Sequence, residues 1–168
     1  MLYSSQQGLT LPELLITLSL ISLLAAIATP DFRRLIESNR QQALQDRLLH
    51  SLQQARARAV IEGRSVEVCA SEDGEQCGAD WNKGWILKAV GREETLAAEQ
   101  LSPATHRLHW QGFTQRIVFH ANGQSPTGNG RFYLCQDGDL AWQLVLNRQG
   151  RVRISTKAEN RKEAHRCG

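Results

Sequence analysis

Between Gly8 and Pro30 the chain runs LTLPELLITLSLISLLAAIAT, 21 residues of which only Glu13 is charged. As a helix rising about 1.5 Å per residue, this run is roughly 30 Å long, the thickness of a bilayer core. Such a segment cannot sit on the surface of a soluble domain, so the chain reads as an apolar stalk carrying one polar head. A carboxylate within a spanning helix costs on the order of 3 kcal/mol and is normally paired. Glu13 is therefore a residue that needs a partner.

The head is the 138 residues left when the first 30 of 168 are set aside, enough for one domain with a core but not for two. The formal charge is +3, which by itself names no partner. Its distribution says more. From Arg148 to the end there are seven Lys/Arg against two acids, Glu159 and Glu163, so the remainder is near neutral or slightly acidic.

Four cysteines, Cys69, Cys77, Cys135 and Cys167, all follow the apolar run. An even number beyond a membrane segment implies an oxidising compartment and two disulfides, with three pairings open. The short gap from Cys69 to Cys77 reads as a bridged loop, which would leave Cys135 to staple the tail through Cys167. No C-x-x-C suggests zinc. The start, MLYSSQQG, lacks the basic residues of a secretory signal, and the apolar run is too long for one. Arg33 and Arg34 follow the run, so the positive-inside rule alone would put the head in the cytoplasm, against the cysteines.

Beyond Pro30, which should kink rather than end the helix, Leu44, Leu48, Leu52, Ala55 and Ala59 recur at helical spacing. Gly63 is a natural stop. One long helix is expected from about Leu9 to Glu62, its second half packing on the head. From Ser65 the period changes to two. Strands are expected at 65–70, 85–90, 107–110, 115–119, 131–135, 142–146 and 151–155, most of them separated by turn signals such as Asn122-Gly123 and Gln149-Gly150. The fold class is α+β, a long helix laid against antiparallel sheet.

Two sets of residues carry a family resemblance. Gly8-Leu9-Thr10-Leu11-Pro12-Glu13-Leu14 resembles the leader of type IV pilins and type II secretion pseudopilins, with Leu9 in place of the commoner Phe. In the head, Val68-Cys69-Ala70-Ser71, Asp73-Gly74, Cys77, Trp81-Asn82-Lys83-Gly84-Trp85-Ile86, Phe119-His120-Ala121-Asn122-Gly123, Gly130–Cys135 and Leu144–Arg153 are similar to the GspH/FimT branch, and more to FimT/FimU-like minor pilins than to the secretion pseudopilin. The resemblance implies a prepilin leader over 1–8, cleaved after Gly8 by a prepilin peptidase, and N-methylation of Leu9. It implies a transmembrane and assembly helix over 9–29, with Glu13 meeting a neighbouring subunit's amine. It implies a periplasmic head over 30–168, amphipathic helix at 30–62 and β-rich domain at 64–168. Its expected partners are major and minor pilins and the inner-membrane assembly platform, first in the inner membrane and then in a surface pilus.

No catalytic constellation is present: there is no G-x-S-x-G, H-E-x-x-H or phosphate-binding glycine loop. The chain is expected to be no enzyme and to need no cofactor or metal. His106 and His109 could approach each other, but the histidines are otherwise scattered. Ser71–Glu75 could suggest calcium but is well short of an EF-hand loop and reads as a loop tip. In Gly150-Arg151-Val152-Arg153-Ile154, strand alternation puts both arginines outward, about 7 Å apart, and Val152 and Ile154 into the core. This stretch resembles the DNA-contacting motif of FimT minor pilins that act in natural transformation, which implies Arg151 and Arg153. Charge alone adds Lys157, Arg161, Lys162 and Arg166. A basic strip suits a polyanion bound without sequence preference. The alternatives are a GspH-like type II secretion pseudopilin, or a minor pilin that primes assembly and binds no DNA.

Overall fold

The computed structural model describes residues 10–92, 94–101 and 107–167, with only the backbone described at 27, 28, 30 and 31. Gly8 and Leu9 lie outside the described residues. The chain divides into two compact units, Met1–Ala43 and Leu44–Gly168.

Helix α1 spans Leu11–Ile61, so the helical backbone does not end at Pro30. In the first unit its apolar side chains are exposed, among them Leu14, Ile16, Leu20 and Leu24. Glu13 lies in the first turn and accepts the Thr10 N–H at 3.4 Å and the Thr10 hydroxyl at 3.5 Å. A carboxylate there satisfies an orphan helix donor and complements the helix dipole. Among the described residues no helix is long and apolar enough to cross a membrane. The run read from sequence also takes in the side chains of residues 9, 27 and 28, which lie outside those described.

In the second unit, Leu44, Leu48, Leu52, Ala55 and Ala59 are buried in one core with residues from two sheets. The first sheet has the order β3-β2-β1-β5, with β1 Val66–Ala70, β2 Gly84–Ala89, β3 Thr95–Gln100 and β5 Ile117–Phe119. The second has the order β4-β6-β7-β8, with β4 Leu108–Gly112, β6 Gly130–Gln136, β7 Asp139–Leu146 and β8 Val152–Ile154. Every pairing is antiparallel. The single sheet of the sequence reading is thus two, and β3 is an addition to it.

The W-x-x-G-W stretch joins the sheets. Trp81 meets Phe132 edge to face at 4.7 Å. The Asn82 side chain accepts the Leu108 N–H at 2.6 Å, tying the loop before β2 to β4. Gly84 has φ +142°, and a Cβ there would lie 2.2 Å from the Glu99 carbonyl oxygen, so only glycine lets β2 and β3 close.

Helix α2, Lys157–Lys162, and a 3-10 turn, Ala164–Cys167, follow β8. Thr156 and Glu159 form a capping box at the start of α2. Disulfides join Cys69 to Cys77 and Cys135 to Cys167. The second fastens the tail to β6. Polar contacts hold the tail along its length: buried Gln143 donates to Asn160 Oδ1 at 3.0 Å, and Arg131 meets Glu163 at 3.3 Å.

Candidate nucleic-acid interface

The turn between β7 and β8 positions Arg151. Asn147 accepts twice, from the Gly150 N–H at its carbonyl (2.9 Å) and from the Arg151 N–H at Oδ1 (2.9 Å). Gly150 takes φ +73°, and a Cβ there would lie 2.1 Å from the Gly123 carbonyl oxygen. That carbonyl accepts from Arg56 Nε on α1 at 3.0 Å, and the Ser125 N–H donates to the Arg148 carbonyl at 3.0 Å. The turn is therefore braced by a second glycine turn and by the helix. Arg148 and Arg151 are exposed on it, and among the described residues neither makes an ion pair.

The six basic residues read as a strip do not form a uniform row. Arg153 is exposed but engaged: its guanidinium holds both Glu159 oxygens, at 2.8 and 2.9 Å. Arg153 first, and then the Thr156 N–H, hold the Glu159 carboxyl down to about 2. Above the ordinary carboxylate range the pair and the cap are fully present. They are lost as pH falls through about 2, so Arg153 keeps an ionised partner at any physiological pH. Arg166 is a tail fastener. It bonds Glu163 at 2.6 Å and Gln111 Oε1, and its side chain is only 21% exposed. Lys157, Arg161 and Lys162 are exposed on α2, and among the described residues none makes an ion pair. The cations left open are Arg148, Arg151, Lys157, Arg161 and Lys162.

The expectation that Val152 and Ile154 both enter the core holds for Val152, which packs against it, and is corrected for Ile154. Val152 is half-buried and Ile154 is 47% exposed. They pair with buried Leu146 and Leu144, but β8 is the last strand of its sheet, and Ile154 at its end stays exposed.

If Glu159 masks Arg153, removing its charge should add a cation to the surface. Glu159→Gln is expected to strengthen binding to duplex DNA at low salt. It should also steepen the slope of log affinity against log salt by about 0.9, one phosphate contact. A fluorescence-anisotropy titration at several salt concentrations measures both, and an unchanged slope would show that Arg153 meets no phosphate.

The Ser71–Glu75 segment is a loop tip. Asp73 accepts the Glu75 and Gln76 N–H groups at 2.9 Å each, and these backbone bonds hold its carboxyl below the ordinary range. Its acceptor capacity serves the loop. Glu67, Cys69 and Cys77 also lie together, but both sulfurs are committed to the disulfide and offer no thiolate.

The comparisons with known proteins agree with this architecture. Residues 44–150 match the family model described as Type II transport protein GspH, and residues 3–29 match the Prokaryotic N-terminal methylation motif. The fold is similar to a crystal structure of the Pseudomonas aeruginosa (strain PAO1) type IV minor pilin FimU, at TM-score 0.58 and 25% identity over 73% of this chain and 92% of that one. A second crystal form of FimU gives TM-score 0.55 and 24% identity over 70% and 94%. No curated relative matches the chain. A GspH model over more than half of the chain, an N-terminal methylation motif ahead of it and the fold of FimU together show that this chain belongs to the GspH/FimT family, as a type IV minor pilin or pseudopilin that associates with other pilins and their assembly machinery.

Proposed function

We propose that the chain is a minor type IV pilin that captures extracellular DNA for uptake. It waits in the inner membrane as a single-pass subunit with a periplasmic head and then enters the pilus, in or near its tip. Leader cleavage after Gly8, methylation of Leu9 and pairing of Glu13 with a neighbouring subunit belong to the same reading. Its supports are the methylation motif over 3–29 and the exposure of the apolar face of α1 in the first unit.

The observation that carries the DNA reading is Arg151. It stands exposed on a turn braced by Gly123 and Arg56, with no acidic partner among the described residues. Lys157, Arg161 and Lys162 follow it on a tail fastened by Cys135–Cys167. Exposed cations on a fastened backbone meet phosphates without refolding of the segment, and phosphate contacts take any sequence. If Arg151 and the three α2 cations each meet a phosphate, log affinity for duplex DNA falls with log salt at a slope of about −3.6. Titrating duplexes of unrelated sequence at two salt concentrations tests this, and no binding at low salt would end the DNA reading.

The GspH description of the family model favours a second reading, a type II secretion pseudopilin whose partners are other pseudopilins. Deletion separates the two: loss of transformation and pilus function against loss of protein secretion.

A further inference from the structure

The second sheet has an outer face that the tail only partly covers. On β4 the residues pointing away from the core are His109 and Gln111, and on β6 they are Arg131 and Tyr133. His109 pairs directly with Tyr133, and Gln111 with Arg131. Tyr133 in turn pairs with Gln143 of β7, which is buried beneath Asn160 of α2. The row therefore emerges from under the tail, passes through Tyr133 and ends at His109 on the edge strand.

The two rings lie flat on each other, centroids 4.9 Å apart and 13° from parallel. His109 is exposed and Tyr133 half-buried. A stacked pair of this kind on an edge strand leaves the far side of the outer ring to solvent. Arginines lie on both sides of it, each with an acid nearby. Exposed Arg107, near Asp80, precedes His109 by two residues, and Arg131, Arg166 and His165 all lie close to Glu163.

We infer that the His109–Tyr133 stack is a platform for the unpaired bases of single-stranded DNA, with exposed Arg107 beside it taking a phosphate. The inference rests on the reading that DNA is the ligand and says which form of it this face receives. An antiparallel sheet whose exposed aromatics stack bases is a recurring way of holding single strands. A duplex keeps its base faces inside and cannot use the platform. A carbohydrate would also stack, but it needs free carboxylates or amides beside the ring, and Glu163 and Gln111 are both already engaged by arginines.

The test uses the full chain in a mild non-ionic detergent, with fluorescein-labelled oligo(dT) and a duplex of the same length as probes. His109→Ala and Tyr133→Leu should each weaken oligo(dT) binding roughly tenfold, the scale of one lost base stack. The salt slope should stay the same, because neither substitution removes an arginine, and duplex binding should be unchanged. Tyr133→Phe, which keeps the ring, should bind oligo(dT) as the parent does. Oligo(dT) binding unchanged in His109→Ala, or oligo(dT) and duplex weakened in parallel, would overturn the platform. So would an oligosaccharide that displaces oligo(dT). If the parent chain binds duplex but not oligo(dT), the platform alone fails. If it binds neither, the DNA reading fails.

Discussion

Reversing Arg151 and Lys157 together to glutamate is expected to weaken duplex binding about a hundredfold at ~0.1 M salt. Each phosphate contact releases about 0.9 of a counterion, so at that concentration each contributes close to one decade of affinity. Losing two contacts removes about two decades and brings the salt slope from about −3.6 to about −1.8. The glutamates would repel the same phosphates, so a hundredfold is the lower end. The fold should not change, because both side chains are exposed and neither makes an ion pair among the described residues. Thermal unfolding of the double variant should superimpose on that of the parent. Anisotropy titrations across salt check the binding. An unchanged slope would show that these cations meet no phosphate, whatever the affinity does.

The residues of this interface were unequally legible. Arg151 could be read from strand alternation and the glycine turn before it, since both signals are local. The engagement of Arg153 was also within reach: Thr156-Lys157-Ala158-Glu159 is a capping-box sequence, and a Glu fixed at the start of α2 lies within reach of β8. The alternation rule misplaced Ile154 because it gives the face of a strand but not whether anything lies beyond it. The stripe Leu44 to Ala59 was plain because helical period and burial coincide there. Strand β3 was hidden, since Ala97, Ala98, Glu99 and Gln100 favour helix and owe their strand conformation to pairing with β2. The division into two sheets and the His109–Tyr133 stack depend on which strands meet across long stretches of chain, and no local pattern records that.

Replacing Cys135 and Cys167 with serine is expected to cost about 4 kcal/mol of stability. The bridge closes a loop of sequence separation 32, and the chain-entropy model gives about that amount for such a loop. In a domain of this size the melting temperature should fall by roughly 8–16 °C, read by circular dichroism. The effect on DNA should differ in kind from that of the arginine and lysine reversal. The turn that carries Arg151 is held by Asn147, Gly123 and Arg56, none of which depends on the bridge. Lys157, Arg161 and Lys162 keep their charge but sit on a tail then held by Gln143–Asn160, Asn160–Ala141, Arg131–Glu163 and the Arg166 bonds. The phosphates would still be met, after ordering a looser segment. Affinity should therefore fall several-fold while the salt slope stays near −3.6, because ordering entropy does not depend on counterions. A serine variant that lost slope as well would show that the tail must be fastened for its cations to reach DNA at all. One that melted with the parent would show that the polar bonds alone carry the tail.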